Sequence, residues 1–427
     1  MGARPVLLLL AGGLLIIPTL YSSGMEAFRL PKELAFRAEA IALLAAAVFW
    51  ARSWRLRARP ELVLAGAIVL WAGVTTALST NRLLSADSFI TVVAAAVIFI
   101  ATCLAAQTTR SIVAIDVLMA GACINAAVVI MQELAIWSPF KTVIGGHYGS
   151  IGFLGNANDV GTFLAAPALA ALVLAMIAGG ARRWVYAAIC ALLIAGIAAS
   201  ATRTAVGALL VGLVVFAVRH SRRAALAVAA IVAVLAVLTL MPSTSLGKRA
   251  RELAGAAQSR DFERLFSERL LPILTCVDMI RDHPLFGVGP GCFRYHFMAY
   301  RLRLGDHYPE PWTRGYPGNW GAAHNDHLQV AAETGLPGYA LFLMAIVMTG
   351  LRGLGVSWSR RPATPRPRDP ETSQTRLFAR ALRLPLAALV FVICLAQFPL
   401  EVAAPRLILL TLAALCITWD GEADAAA

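Results

Sequence analysis

Apolar runs long enough to cross a bilayer recur from Val6 to Thr418 with short connectors between them, and one polar segment, residues 242–335, interrupts the series. Each run is about twenty residues or slightly fewer, the length a helix needs to cross the hydrocarbon core. Backbone groups in lipid must satisfy one another, so this pattern specifies an all-α, polytopic helical membrane protein. Composition agrees: only 14% of the residues are charged, whereas about a quarter would be in a soluble protein.

Twelve spans are expected, at approximately 5–21, 34–51, 61–79, 87–106, 109–131, 157–179, 183–200, 203–219, 223–241, 336–354, 385–400 and 403–419. The run Val6–Leu20 follows Arg4 as a signal peptide would, but no small-residue cleavage site follows, so it reads as the first span. The short pair 183–200 and 203–219 could instead form a re-entrant hairpin. The chain thus divides into residues 1–241 with nine spans, a large loop at 242–335, and residues 336–427 with three spans and a basic linker at 357–384.

The net charge is +13. Its excess lies in short connectors, which marks membrane topology rather than nucleic-acid binding. With a cytoplasmic N-terminus, the inside connectors hold Arg52, Arg55, Arg57, Arg59, Arg110, Arg182, Arg183, Arg219, Arg222 and Arg223. The inside loop after the tenth span adds eight more, from Arg352 to Arg383, and the short outside connectors hold few. The positive-inside rule therefore places both termini in the cytoplasm and segment 242–335 outside. The Pro-rich linker reads as disordered, with a basic character suited to anionic membrane lipids.

Inside the polar segment, Leu246–Ala257 reads as a polar helix. Phe266, Leu270, Ile273, Leu274, Val277 and Ile280 recur at helical spacing, with Arg269 at the edge of that stripe and Asp278 off it. Pro272 permits this helix only with a kink or a start close to it. A glycine-rich turn follows at 283–291, then an aromatic loop with Tyr308, Trp312, Tyr316 and Trp320. Asn325 or Asp326 can cap a short helix ending at Gly335, before Pro337 starts the next span. Cys276 and Cys292 are the two cysteines of this segment, and an oxidising compartment would allow them to pair.

Several residues could carry chemistry, each with a plainer alternative. Arg203 lies between two apolar runs with almost no connector, a costly position that marks either a functional site or a snorkelling interfacial arginine. A guanidinium there is shaped for phosphate. Asn156 and Asn158 open the sixth span, as helix caps or as groups directed at a sugar or phosphate. Glu268 and Arg269 form either a solvated charged pair or part of a site. Gly287, Gly289 and Gly291 make a plain turn or an anion nest. His324, at the mouth of a helix, suits a general base. His324 and His327 with Asp326 crowd into one short run without a metal-binding pattern, so no metal site is expected. Asp116 is the main ionisable residue within a span, and a small-solute transporter is the non-enzyme alternative.

Four pieces in register carry a family resemblance. They are Gly155-Asn156-Ala157-Asn158; Ser200-Ala201-Thr202-Arg203-Thr204; Arg269 followed by Asp282 to Gly291; and His324-Asn325, Leu328 and Glu333 to Gly338. Together with the large loop between the ninth and tenth spans, they resemble the O-antigen ligase and O-antigen polymerase superfamily of bacterial inner-membrane glycosyltransferases. The resemblance implies a metal-independent, inverting transferase acting on the periplasmic face without a cofactor. Its donor would be a glycan on undecaprenyl diphosphate, and its acceptor a lipid A-core, a glycan or a protein. It implies that Arg203 and Arg269 bind the diphosphate, with Arg281, Arg294 and Arg314 as further candidates. His324 would deprotonate the acceptor hydroxyl, and Asn156, Asn158, Gly289, Asn325 and Glu333 would contact substrate. The close alternatives are a polysaccharide polymerase or a protein O-glycosyltransferase of the same superfamily.

Overall fold

A computed structural model describes residues 4–22, 28–50, 60–108, 112–140, 150–261, 265–266, 269–309, 318–351 and 370–420. In chain order the helices are α1 (Arg4–Ile16), α2 (Leu30–Trp50), α3 (Pro60–Leu78), α4 (Arg82–Thr108), α5 (Val113–Glu133), α6 (Ala157–Ile177), α7 (Gly180–Ser200) and α8 (Arg203–His220). They continue as α9 (Arg222–Leu240), α10 (Ser245–Gln258), α11 (Leu270–Asp282), α12 (Phe293–His307), α13 (Asp326–Leu351), α14 (Pro370–Cys394) and α15 (Ala403–Asp420). The protein is an all-helical polytopic membrane protein. Among the described residues, nine helices are long and apolar enough to cross a membrane, and α1 and α15 are shorter apolar helices. Together with α2, which carries Lys32, Glu33, Arg37 and Glu39 in its first half, these helices lie at the positions of the twelve expected runs.

Helix α6 is the centre of the bundle. Its small residues Ala165, Ala166, Ala170 and Ala171 are fully buried, letting α5, α7, α8 and α14 approach closely. Close approach matters in lipid, where packing rather than water exclusion holds helices together. Large apolar side chains such as Leu83, Val218 and Leu240 point outward instead, as a lipid-facing surface requires.

The structure decides one alternative among the spans and changes two expectations about the linker and the eleventh span. Helices α7 and α8 are no re-entrant hairpin: they have 21 and 18 residues, and α7 packs on α5 and α6 while α8 packs on α14 and α6. Part of the basic linker is helical, because α14 already starts at Pro370. Phe378, Ala379, Leu382 and even Arg383 are buried against the bundle there, and Arg383 Nε donates to the Thr349 carbonyl at 3.2 Å. The eleventh span therefore ends at Cys394 rather than near residue 400, which releases residues 395–402 as a loop.

The polar segment folds over one end of the bundle around a second small core of Leu271, Met279, Phe293, Phe297 and Ala332. Its amphipathic helix α11 begins at Leu270, so Pro272 sits in the first turn, where its missing N–H is harmless. Helix α12 replaces part of the expected loop. Phe293, Phe297, Tyr300 and Leu304 are all buried on one of its faces, a helical spacing the glycine and proline signals on either side obscured. Asp278, expected off the apolar stripe, is buried and accepts from Arg281 Nη1 and the Tyr308 hydroxyl. Cys276 and Cys292 are both buried and unbridged; Cys292 Sγ lies 3.2 Å from Ser85 Oγ instead. Glu268, Trp312, Arg314 and Tyr316 lie outside the described residues.

The candidate active site

Side chains from connectors far apart in sequence meet at the end of the bundle that carries the polar segment. Lys32 of α2 donates to the Leu20 and Phe153 carbonyls. Thr202 Oγ1, before α8, donates to the Ala157 carbonyl at the start of α6, at 2.7 Å. Gln397 Nε2 donates to Thr204 Oγ1 at 2.6 Å, and the Asp326 N–H donates to the Gln397 carbonyl at 3.3 Å. The Arg269 guanidinium donates through Nη1 to the Ala396 carbonyl. The 395–402 loop thus ties the start of α8, the start of α11 and the His324 turn together.

His324 sits in this knot with φ of 54°, a left-handed conformation uncommon for non-glycine residues. Its ring meets Trp320 at 5.2 Å and Phe398 at 4.4 Å, both edge-on. Its Nδ1 is buried with no hydrogen-bond partner among the described residues. Burial, and then the charges of Arg269 and Arg29, hold its pKa well below the usual histidine value. It is therefore a neutral imidazole at physiological pH, the state a proton acceptor needs.

The surroundings are rich in arginine. Burial and the neighbouring Arg203 charge lower the Arg269 pKa to about 10, so the guanidinium remains charged in neutral water. Arg249 of α10 is electrostatically close to both Arg203 and Arg269. Arg29 lies 3.6 Å from Asp159, the acidic residue of the first turn of α6, and 5.2 Å from the Phe398 ring that His324 also touches. Guanidinium groups near one buried imidazole are chemically suited to an anion.

The other expected site residues divide. Asn156 is the N-cap of α6, its side chain accepting from the Asn158 N–H at 2.8 Å; this is the capping alternative. Asn325 likewise caps α13, accepting from the Leu328 N–H at 3.0 Å. Gly289, with φ of 106°, passes so close to Ser79 that a Cβ there would overlap it. The group held beside this turn is the protein's own Glu333, whose carboxyl oxygens accept from the N–H groups of Gly291 and Phe293 at 2.8 and 3.1 Å. Glu333 thereby fastens α13 to the start of α12. His327 is also a fastener, with Nε2 3.0 Å from the Phe391 carbonyl. Arg281 pairs with Asp278.

Beside the His324 knot a cavity of about 660 Å³ opens between α2, α3, α4 and α13. Ala322 and Arg29 form part of its wall, and Arg294, Glu333 and Glu401 reach its interior. Toward the bundle it continues into an apolar trench of about 310 Å³, with Ile68, Val92 and Phe342 common to both.

A family described as O-antigen ligase matches residues 188–343, from within α7 to within α13. The matched segment holds Arg203, Arg269 and His324, while Arg29, Asp159 and Phe398 come to the same place from outside it. No curated protein matches the chain. Sequence reasoning missed Arg29 and the 395–402 loop; their only local signal was an arginine flanking a span and a Gln-Phe-Pro break after another. Among the described residues no cluster of three or more His, Cys, Asp or Glu could hold a metal ion.

Proposed function

We propose that the protein is a glycosyltransferase of the O-antigen ligase type, moving a glycan from undecaprenyl diphosphate to an acceptor hydroxyl on the periplasmic face of a bacterial inner membrane. The observation that carries this reading is the buried, unpartnered Nδ1 of His324 within range of Arg29 and Arg269. In the reaction, the acceptor hydroxyl oxygen bonds to the anomeric carbon as its proton passes to His324. The bond from that carbon to the diphosphate oxygen breaks on the opposite side, which inverts the configuration. Arg203 and Arg269 stabilise the charge that grows on the departing undecaprenyl diphosphate. The donor already carries a good leaving group, so fixed cationic charge and one base suffice and no metal is required. The clustering of His324 with Arg203, Asp159 and the 395–402 loop at the end bearing the polar segment supports a single outward site, and the arginine-rich connectors support cytoplasmic termini.

A polysaccharide polymerase and a protein O-glycosyltransferase share this chemistry and differ in acceptor. Deleting the gene and resolving the surface glycans on a gel separates them. Unligated lipid-linked polymer identifies a ligase, and single repeat units on an intact core identify a polymerase. Unchanged glycans on lipid and protein alike refute the transferase reading.

A further inference from the structure

The cavity beside His324 differs in character from the arginine cluster. Basic and acidic side chains lining it nearly balance, five to four among the described residues. Two of the pairs are satisfied: Arg37 bonds Asp87 at 2.7 Å and Arg406 bonds Glu33 at 3.2 Å. Such a balanced wall is poorly suited to a polyanion. It suits groups that both donate and accept, which is what sugar hydroxyls do. Its volume is in the range of small-molecule sites.

Glu401 is the group placed to read such a ligand. It stands in the 399–401 turn, open to water in the cavity. Its Oε1 accepts from Gln329 Nε2 at 3.2 Å, while Gln329 Oε1 accepts from the Ala323 N–H, next to His324, at 2.8 Å. Glu401 is thus joined through one amide side chain to the turn that holds the imidazole. Arg294 projects from α12 into the same cavity with its side chain exposed. Arg29 faces both His324 and Glu401 electrostatically, so the cavity and the anion site share one wall. The trench beneath gives hydrocarbon room to a chain attached to whatever occupies the cavity.

We infer that this cavity is the acceptor subsite, that it holds the uncharged, hydroxyl-rich glycan of a lipid-borne acceptor, and that Glu401 and Arg294 bind its hydroxyls. This rests on the transferase reading above. The anionic donor occupies the Arg203 and Arg269 side, the acceptor occupies the Glu401 side, and His324 stands between them.

The test measures transfer by the full-length protein in lipid nanodiscs, with an undecaprenyl-diphosphate oligosaccharide as donor and glycolipid extracted from the host membrane as acceptor. For Glu401→Gln and for Arg294→Gln, the acceptor KM rises roughly tenfold, the loss of one hydrogen bond to a charged group, while the donor KM stays within about twofold. Arg294 is at the exposed surface of α12, so its variant reports on the cavity even where Glu401→Gln fails to accumulate. Unchanged acceptor KM in Arg294→Gln, with the unaltered protein active, overturns the subsite assignment alone. Transfer to a peptide in place of the glycolipid overturns it as well. No transfer by the unaltered protein to any acceptor overturns both this assignment and the transferase reading.

Discussion

His324 and Arg29 meet on one ring: the Phe398 centroid is 4.4 Å from the histidine ring and 5.2 Å from the guanidinium carbon. The two residues come from opposite ends of the chain, and the ring that joins them comes from the loop between α14 and α15. Burial keeps the imidazole neutral, the Arg269 and Arg29 charges add to that, and Nδ1 has no hydrogen-bond partner among the described residues.

Replacing the base should remove the chemistry and spare the fold. His324→Ala is expected to lower glycan transfer by about a hundredfold or more, the usual contribution of a positioned base, while the protein accumulates in membranes at its normal level. Full transfer by this variant, measured with a lipid-linked donor, would show that another group takes the proton.

The two arginines should fail in different ways. Arg203→Ala is expected to abolish transfer with the outer loops unchanged in hydrogen exchange. Arg269→Ala should abolish transfer and also speed exchange across residues 395–402, because its guanidinium is bonded to the Ala396 carbonyl. Equal protection of that loop in both variants would contradict the latch.

The pH profile follows from the depressed histidine. His324 is uncharged in the folded protein at pH values where a free histidine, with its pKa near 6.5, is already protonated. The acid limb of the transfer rate should therefore fall below pH 6.5. Stability runs in the same direction: as pH drops through 6.5 the unfolded chain binds a proton that the native state refuses, so stability declines. Arg29→Gln removes one of the two repelling charges and should move the acid limb upward, short of 6.5 because burial remains. A limb that stays in place would show that Arg29 does not act on the imidazole.

Glu333 and Gly289 should behave as parts of the scaffold. Glu333→Ala leaves the Gly291 and Phe293 N–H groups unpaired in a buried setting, a loss of about 1–3 kcal/mol. Gly289→Ala adds a Cβ against Ser79 at a positive φ, and both strain and overlap act against it. Thermal unfolding of the detergent-solubilised variants should show lowered midpoints for both. An unchanged midpoint with lost transfer would place Glu333 in substrate binding instead.

The positions of the apolar helices and of the polar segment after α9 were readable from sequence, and Arg203, Arg269 and His324 could be picked out there as candidates. Hydropathy is a local property, and an arginine between two apolar runs or a histidine before a capped helix announces itself without a partner. The tertiary structure decided what each polar group does. Asn156 and Asn325 became caps, Glu333 and His327 became fasteners between helices, and Glu401, Arg29 and Phe398 became neighbours of the His324 turn. The caps are local and were among the sequence alternatives, but the other roles are not. They depend on which helix ends are packed together around α6, and a hydropathy pattern is the same for every arrangement of the same helices.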